Sequence, residues 1–332
     1  MTIERTTVKQ ADLTVLICTL DRPDSLRETL QLLAQNDIDR LDVLVIDNAN
    51  EPTARAVTES MSAELSVRYL HEPKAGKGHA LNRGLEAECL APIIAVLDDD
   101  MSPGPEWCRG VLDLCERWPD SGVFAAGSYV VWPENIEIPE WVRRGAVSCW
   151  ALSVVRYDKE RYTAPGEFMS GNHFWFRRDI VGSRRFPDFW APEAHFTLGL
   201  IDDGTTGVVA PEPRCGHRIQ PNLLRIDVQR ERATKMGRHL ARFRLEFPRT
   251  VPQAKMAANH PLLWKVRCLA NLARWLLVAA SVPLRRSGNR IPTALVARVA
   301  IANNLECLRR GSLSMGRGLA PPRPEVLPDN LE

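Results

Sequence analysis

Within its first hundred residues the chain alternates short apolar runs with helical patterns, and that alternation restricts the fold more than any other feature. Leu13–Thr19, Leu41–Asp47, residues 65–70 and residues 92–97 are rich in Val, Ile and Leu and bounded by polar or turn residues, which predicts buried strands. Between them, residues 23–35 (leucines at 26, 30 and 33), 51–63 and 79–89 carry helical spacing. Strands and helices in this order argue for an α/β fold, a mainly parallel sheet flanked by helices. Ligands of such sheets bind beyond the carboxyl ends of the strands.

Those ends hold Thr19, Asp21 and Arg22 after the first strand, Asp47 and Asn48 after the second, the loop 72–78 after the third, and Asp98, Asp99 and Asp100 after the fourth. For Asp24 or Ser25 a helix cap is the plain alternative to a site role. Three consecutive aspartates repel one another unless a cation or hydrogen-bond donors neutralise them. Mg2+, which takes one or two protein carboxylates together with phosphate oxygens, is a natural compensator. A solvated acidic turn is the plainer alternative. The third loop brings Gly76, Lys77 and Gly78 ahead of a helix without the GxxxxGK[ST] spacing of a phosphate loop. Its glycines would let backbone approach a ligand, and Lys77 offers a charge to a phosphate.

Taken together, LTVLICTLDRPDSLRETL, LDVLVIDNA, EPKAGKGHALNRGLE and IIAVLDDDMSPGPEW resemble the N-terminal half of a family 2 glycosyltransferase of GT-A fold, with DDD where that family has its DxD motif. SGNHFWFRR (170–178) resembles the family's G-x-N-x-x-x-R-R strand, and PEPRCGHR (211–218) its late P-E-x-x-x-x-H segment. No QxxRW motif follows, so the processive synthases are a poor match. The resemblance implies a metal-dependent, inverting, non-processive transferase that uses Mg2+ or Mn2+. Its donor would be a nucleotide sugar, UDP-linked, and its acceptor a hydroxyl of a glycan, a lipid-linked glycan or a small aglycone. It further implies that Thr19, Asp21 and Arg22 line the nucleoside pocket and that Asp47 accepts a hydrogen bond from uracil. Lys77, Asn82, Asp98 and Asp99 would lie by the nucleotide sugar, and Asp100 and His217 on the metal.

Inverting transfer also needs a base for the acceptor hydroxyl. Relatives open the helix after the G-x-N strand with an acidic pair; here Ala194-His195 fall at that place. Glu193 is the first candidate base, His195 the second, Asp202 or Asp203 the third. Loss of the pair also leaves open a non-catalytic nucleotide-sugar-binding or membrane-docked scaffold. A nucleotidyltransferase is a poorer fit, because CTLDRP is not a G-x-G-x-R loop. Arg177 and Arg178 fall on the expected acceptor side; Arg225, Arg230 and Arg232 are placed to close over phosphates. Phe174, Trp175, Phe176, Trp141, Trp150, Phe189 and Trp190 offer platforms for a sugar, although core packing is the usual fate of such side chains.

The expected organisation is a catalytic domain over 1–218 (nucleotide half 1–107, acceptor half 108–218), a helical region over 219–318 and a disordered tail over 319–332. Charge separates the first two: residues 1–217 carry 22 Lys/Arg against 34 Asp/Glu, residues 218–318 carry 20 against four. Helices are expected over 223–247, 261–283 and 292–310, and in the second Leu262, Val266, Leu269, Ala273, Leu276 and Ala280 share a face. Such helices either pack on the catalytic domain or rest on an anionic membrane surface, and the concentrated basic excess favours the membrane; without a helix-turn-helix, zinc or stacking signature no nucleic acid is expected. The longest charge-free apolar run, 275–284, has ten residues, short of the ~20 that span a bilayer. The N-terminal residues lack a signal-peptide centre, and eight cysteines without CxxC spacing favour reduced thiols. A cytoplasmic location, peripheral on the inner face of the membrane, is the expectation.

Overall fold

A computed structural model describes residues 11–143, 151–169, 171–189, 191–247, 261–284 and 287–310. In chain order the elements are β1 (Leu13–Thr19), α1 (Pro23–Leu33), β2 (Leu41–Asp47), α2 (Arg55–Ser60), β3 (Val67–His71), α3 (Lys77–Leu85), β4 (Ile93–Leu97), β5 (Met101–Pro103), α4 (Trp107–Arg117), β6 (Val123–Val131) and α5 (Glu140–Arg143). They continue with β7 (Arg161–Tyr162), β8 (His173–Arg177), α6 (Pro192–Asp202), β9 (Gly207–Arg218), α7 (Ile226–Glu246), α8 (Pro261–Ala280) and α9 (Ser287–Arg310).

One sheet runs β3-β2-β1-β4-β8-β6-β9-β5, with β7 on β9. Its first four strands are parallel, and every residue of β1, β2 and β4 is buried, as strands covered on both faces must be. Beyond β4 the sheet is mixed: β8 lies antiparallel between β4 and β6, β6 and β9 are parallel, and β5 returns antiparallel on β9. One face packs on α1 and α4 through Leu26, Leu30, Leu33, Val111 and Leu114, each contributing about 1.5–3 kcal/mol of burial. The other face packs on α3 and α6 through Leu81, Phe196 and Leu200.

Two local departures matter for the site. Helix α2 starts at Arg55 rather than 51, because the Asp47 carboxylate takes the amides of Thr53 and Ala54 at 2.7 and 2.8 Å and holds the chain before them as a loop. The Asp98–Asp100 turn joins β4 to β5, so a single turn carries all the acids between two strands of the same sheet.

The C-terminal helices share a core with the segment after β6: Trp141, Ala151, Leu152 and Val154 meet Leu224, Ala233, Leu295 and Val299. Helix α9 begins five residues ahead of Pro292. No helix among the described residues is long and apolar enough to cross a membrane. The tail 319–332 lies outside the described residues.

Candidate active site

The carboxyl ends of β1 and β4 meet the start of α6 at one rim. There the three aspartates diverge instead of converging on one point. Asp98 turns toward α3 and pairs with Lys77 Nζ. Asp99 turns inward, accepting Thr19 Oγ1 at 2.6 Å and pairing with Arg22 Nη2 at 2.5 Å. Asp100 takes Arg22 Nη1 at 2.8 Å on one oxygen and faces His217 Nε2 at 3.5 Å with the other. Arg22, Thr19 and Lys77 therefore supply much of the neutralisation that the sequence assigned to a metal.

The local electrostatics follow from burial and neighbours. Burial lifts the Asp99 carboxyl to about 7 against the pull of Arg22. Burial also acts to raise Asp100, but His217 when its ring is doubly protonated, together with Arg22, outweighs it and brings that carboxyl down to about 2.

Lys77 is held by two carboxylates, those of Asp98 and Glu193. Burial alone would lower its pKa, yet the two neighbouring anions raise it overall. Glu193 sits in the first turn of α6, where the helix dipole favours an anion, and is 3% exposed. Burial nevertheless raises its pKa, opposed by Lys77. Gly171 makes room for it: a Cβ there would lie 2.8 Å from the Glu193 carboxyl carbon. The G-x-N segment thus matters because a bare backbone faces the acid.

Asp100 and His217 are the pair on which a divalent cation would sit. His217 Nδ1 lies 2.6 Å from the Leu152 carbonyl, so it carries the proton and donates, aiming Nε2 at Asp100. Asp100 Oδ1 is buried without a hydrogen-bond donor in range. Two ligands each about 2.1 Å from one small ion lie roughly 3 to 3.6 Å apart, which the 3.5 Å separation matches. The pair fits a cation as two protein ligands; among the described residues no cluster of three or more such side chains exists.

A sequence profile described as glycosyl transferase family 2 matches residues 14–183, just over half of the chain. The chain belongs to glycosyl transferase family 2. It is 31% identical over 149 residues to the succinoglycan biosynthesis protein ExoM of Rhizobium meliloti (strain 1021), covering 42% of this chain and 47% of that protein. It is 26% identical over 240 residues to the validoxylamine A glucosyltransferase of Streptomyces hygroscopicus subsp. jinggangensis (strain 5008), covering 66% of this chain and 54% of that one. The chain thus matches about half the length of these relatives. Among solved structures it resembles the mannosyltransferase PcManGT from Pyrobaculum calidifontis, solved with GDP-Man and Mn2+, at a TM-score of 0.57, 19% identity, and coverage of 90% and 87%. The fold is GT-A.

Within this glycosyltransferase fold, several expected site residues have other work. Asp47 is fully buried, and its carboxylate accepts the amides of Ala49, Thr53 and Ala54 and the Tyr69 hydroxyl. Three of these donors share Oδ2 and one reaches Oδ1, so in the folded chain this carboxylate organises the loop after β2. Asn82 brackets the backbone of Phe186 through both amide atoms at 2.8 Å, and it too is fastened away from a ligand. Gly78 serves the same contact: a Cβ there would stand 2.2 Å from the Pro187 carbonyl, so the close approach it permits is to protein rather than to a ligand. Asp21 is exposed at φ 53°, a left-handed position between β1 and α1.

The alternative bases separate cleanly. His195 is two residues from Glu193, about 200° around the helix, and its Nε2 lies 2.6 Å from Glu246 of α7. Asp202 and Asp203 close the far end of α6, about 15 Å along the axis, where Asp203 pairs with Arg184 at 2.5 Å.

Arg177 and Arg178 lie at the opposite edge, because β8 runs antiparallel to β4; Arg177 donates to the carbonyls of Ser121 and Cys115, Arg178 to that of Leu90. Of the later arginines, Arg225 pairs with exposed Asp227 and Arg230 faces a groove of α9. Arg232 alone turns inward, donating to Ser153 Oγ at 3.2 Å. Burial lowers its pKa, and Asp100 opposes that shift. Phe174, Trp175, Phe176 and Trp141 are core residues, while Phe189 stacks edge-on against His195. Trp150 and Trp190 lie outside the described residues.

Two residues that the sequence reading named without a role are structural ties of the rim. Asn48 ties the β2 and β3 loops, donating to the carbonyls of Glu72 and Lys74 and accepting from the Gly76 amide. Arg218 donates to the carbonyls of Met101, Ser25 and Asp99 and to Thr29 Oγ1, bolting β9 to the aspartate turn and α1. Its place beside His217 was the available signal.

Proposed function

We propose that the chain moves a sugar, with inversion, from a nucleoside-diphosphate sugar to an acceptor hydroxyl, and that Glu193 is the general base. The observation that carries this is the meeting of Asp98, Lys77 and Glu193 at the same rim as Arg22, Asp100 and His217. Glu193 accepts the hydroxyl proton as the oxygen attacks the anomeric carbon; the bond from that carbon to the diphosphate breaks, and its electrons leave with the nucleoside diphosphate. Lys77 keeps Glu193 ionised and oriented before substrate arrives. Arg22 and Arg232 place positive charge beside Asp100, where the leaving diphosphate gathers charge.

Asp100 and His217 are the residues that would hold Mg2+ or Mn2+, which when bound neutralises charge on the diphosphate. Thr19, Asp21 and Arg22 form the nucleoside side of the pocket, and Asp98 and Asp99 the sugar side. A UDP-linked donor is the form to test first, with GDP- and dTDP-linked sugars beside it. The acceptor is a glycan, a lipid-linked glycan or a small molecule. Residues 1–218 carry the catalytic fold, Arg232 of α7 reaches into it, and the outer faces of the basic helices are directed to an anionic membrane surface.

The experiment compares donor consumption and acceptor glycosylation by wild type and Glu193→Gln with added Mg2+ or Mn2+. The expected result is turnover by wild type, a large loss in Glu193→Gln, and equal nucleotide binding by both. Wild-type turnover in Glu193→Gln would remove that residue from the mechanism. Binding without turnover in any form would make the chain a nucleotide-sugar-binding scaffold.

A further inference from the structure

Away from the nucleotide rim, a groove of about 660 Å3 runs between α7 and α9. Its apolar lining includes Ile226, Ile291, Leu295 and Ile301, with Ala279 of α8 and Val282 just beyond it. Four arginines border it, Arg230, Arg238, Arg298 and Arg309. The acid that lines it, Glu306, is already paired with Arg309 at 2.7 Å. Arg298 is anchored by its Nε to Thr234 Oγ1 at 2.7 Å, which holds a positive charge beside the groove.

Helix α8 adjoins this groove, and its outer face is apolar and exposed. It packs inward through Trp264 and Cys268, whereas Leu262, Val266, Leu269, Leu276 and Leu277 are each more than half exposed, and Leu284 just beyond it is 89% exposed. Isolated exposed apolar residues are ordinary, but a row of them along one helix face marks a contact surface. Since no described helix is built to cross a bilayer, a membrane contact here would lie in the plane of the interface. The bordering charges name the lipid: arginines beside an apolar strip complement phosphate headgroups above acyl chains. A nucleic acid would satisfy the arginines and leave the leucines in water.

We propose that the groove and the outer face of α8 together form a docking site for anionic phospholipid at a bilayer surface. The acyl region meets Leu276, Leu277 and Leu284, and the headgroup phosphate is held by Arg238 and Arg298. This extends the membrane contact put forward above to particular residues, and it is independent of the transferase chemistry.

The test floats the full chain with vesicles of phosphatidylcholine alone and of phosphatidylcholine mixed with phosphatidylglycerol. Wild type is expected to float with the mixed vesicles and to remain unbound to the neutral ones. Leu277→Asp should weaken flotation about tenfold, and Arg238→Gln about fivefold. Both substitutions lie outside the proposed catalytic site, so donor turnover on a soluble acceptor and the unfolding temperature should be unchanged. Equal binding to both vesicle types, no binding, or wild-type flotation by the two variants would overturn the proposal. So would competition by an RNA oligonucleotide that displaces the mixed vesicles fully, or a dimer that Leu277→Asp dissociates in the absence of lipid. A chain that floats but never consumes donor would leave the docking site standing and defeat the transferase assignment instead.

Discussion

The nucleotide rim and the C-terminal helices finish their surfaces in opposite ways. At the rim, charges are matched internally: Asp98 and Glu193 share Lys77, Asp99 and Asp100 share Arg22, and the Asp47 carboxylate takes amides of the loop that follows it. On the C-terminal helices, Leu262, Leu277 and Leu284 stand in water, and arginines border a groove with a single acid. Pre-paired charges suit a site whose polar ligand exchanges partners with side chains already in place, since an unpaired buried charge would cost several kcal/mol. Exposed leucines suit a surface completed by something apolar.

The contrast breaks first at Glu193. Glu193→Gln should reduce turnover by about 10²–10⁴-fold while nucleotide affinity, measured by calorimetry, stays within error; a loss of affinity with intact turnover would make the residue structural. His217→Ala should weaken Mn2+-dependent donor binding by about 10–100-fold, and unchanged titrations with metal present would take His217 off the cation. Gly78→Ala forces a Cβ against the Pro187 carbonyl and should cost about 1–3 kcal/mol in denaturant unfolding. A neutral result would mean that the loop yields freely.

The pH profile sharpens the same comparison. Because the Glu193 pKa is raised, chiefly by burial, the acid stays protonated, and so unable to accept a proton, to a higher pH than an ordinary glutamate. The acid limb of the rate should therefore lie above about 4.3, the unperturbed value, falling about tenfold per pH unit below the midpoint. A limb at the ordinary value would place the base elsewhere. The smallest effect is expected on the other surface: Leu277→Asp should change stability by less than about 0.5 kcal/mol, since that side chain is 73% exposed. A larger loss in thermal unfolding would mean that the helix face is packed against part of the chain.

Much of the fold was legible because its signals are local. The runs that became β1, β2 and β4 are mostly apolar and buried at every residue since both faces are covered, and Leu26, Leu30 and Leu33 mark the buried side of α1 by spacing alone. The motif order was enough for the family, which the match over residues 14–183 establishes. Individual roles were less legible. Asp47, Asn82 and Gly78 stand at the family's positions, yet their atoms meet Thr53, Phe186 and Pro187, partners 6 to 109 positions away that no local pattern names. The apolar stripe of α8 was visible as a periodicity, but periodicity gives a face without saying what it faces.

By itself, then, the sequence determined the alternation of strands and helices, the turn that carries Asp98, Asp99 and Asp100, and the basic excess after residue 217, because each depends on neighbours along the chain. The tertiary structure decided which charges meet. It sent the three aspartates to Lys77, Thr19 with Arg22, and His217, brought Glu193 onto the bare backbone of Gly171, and turned the leucines of α8 outward. A carboxylate's role is set by the donors and burial within a few ångströms of it, and those are fixed only once distant segments have packed.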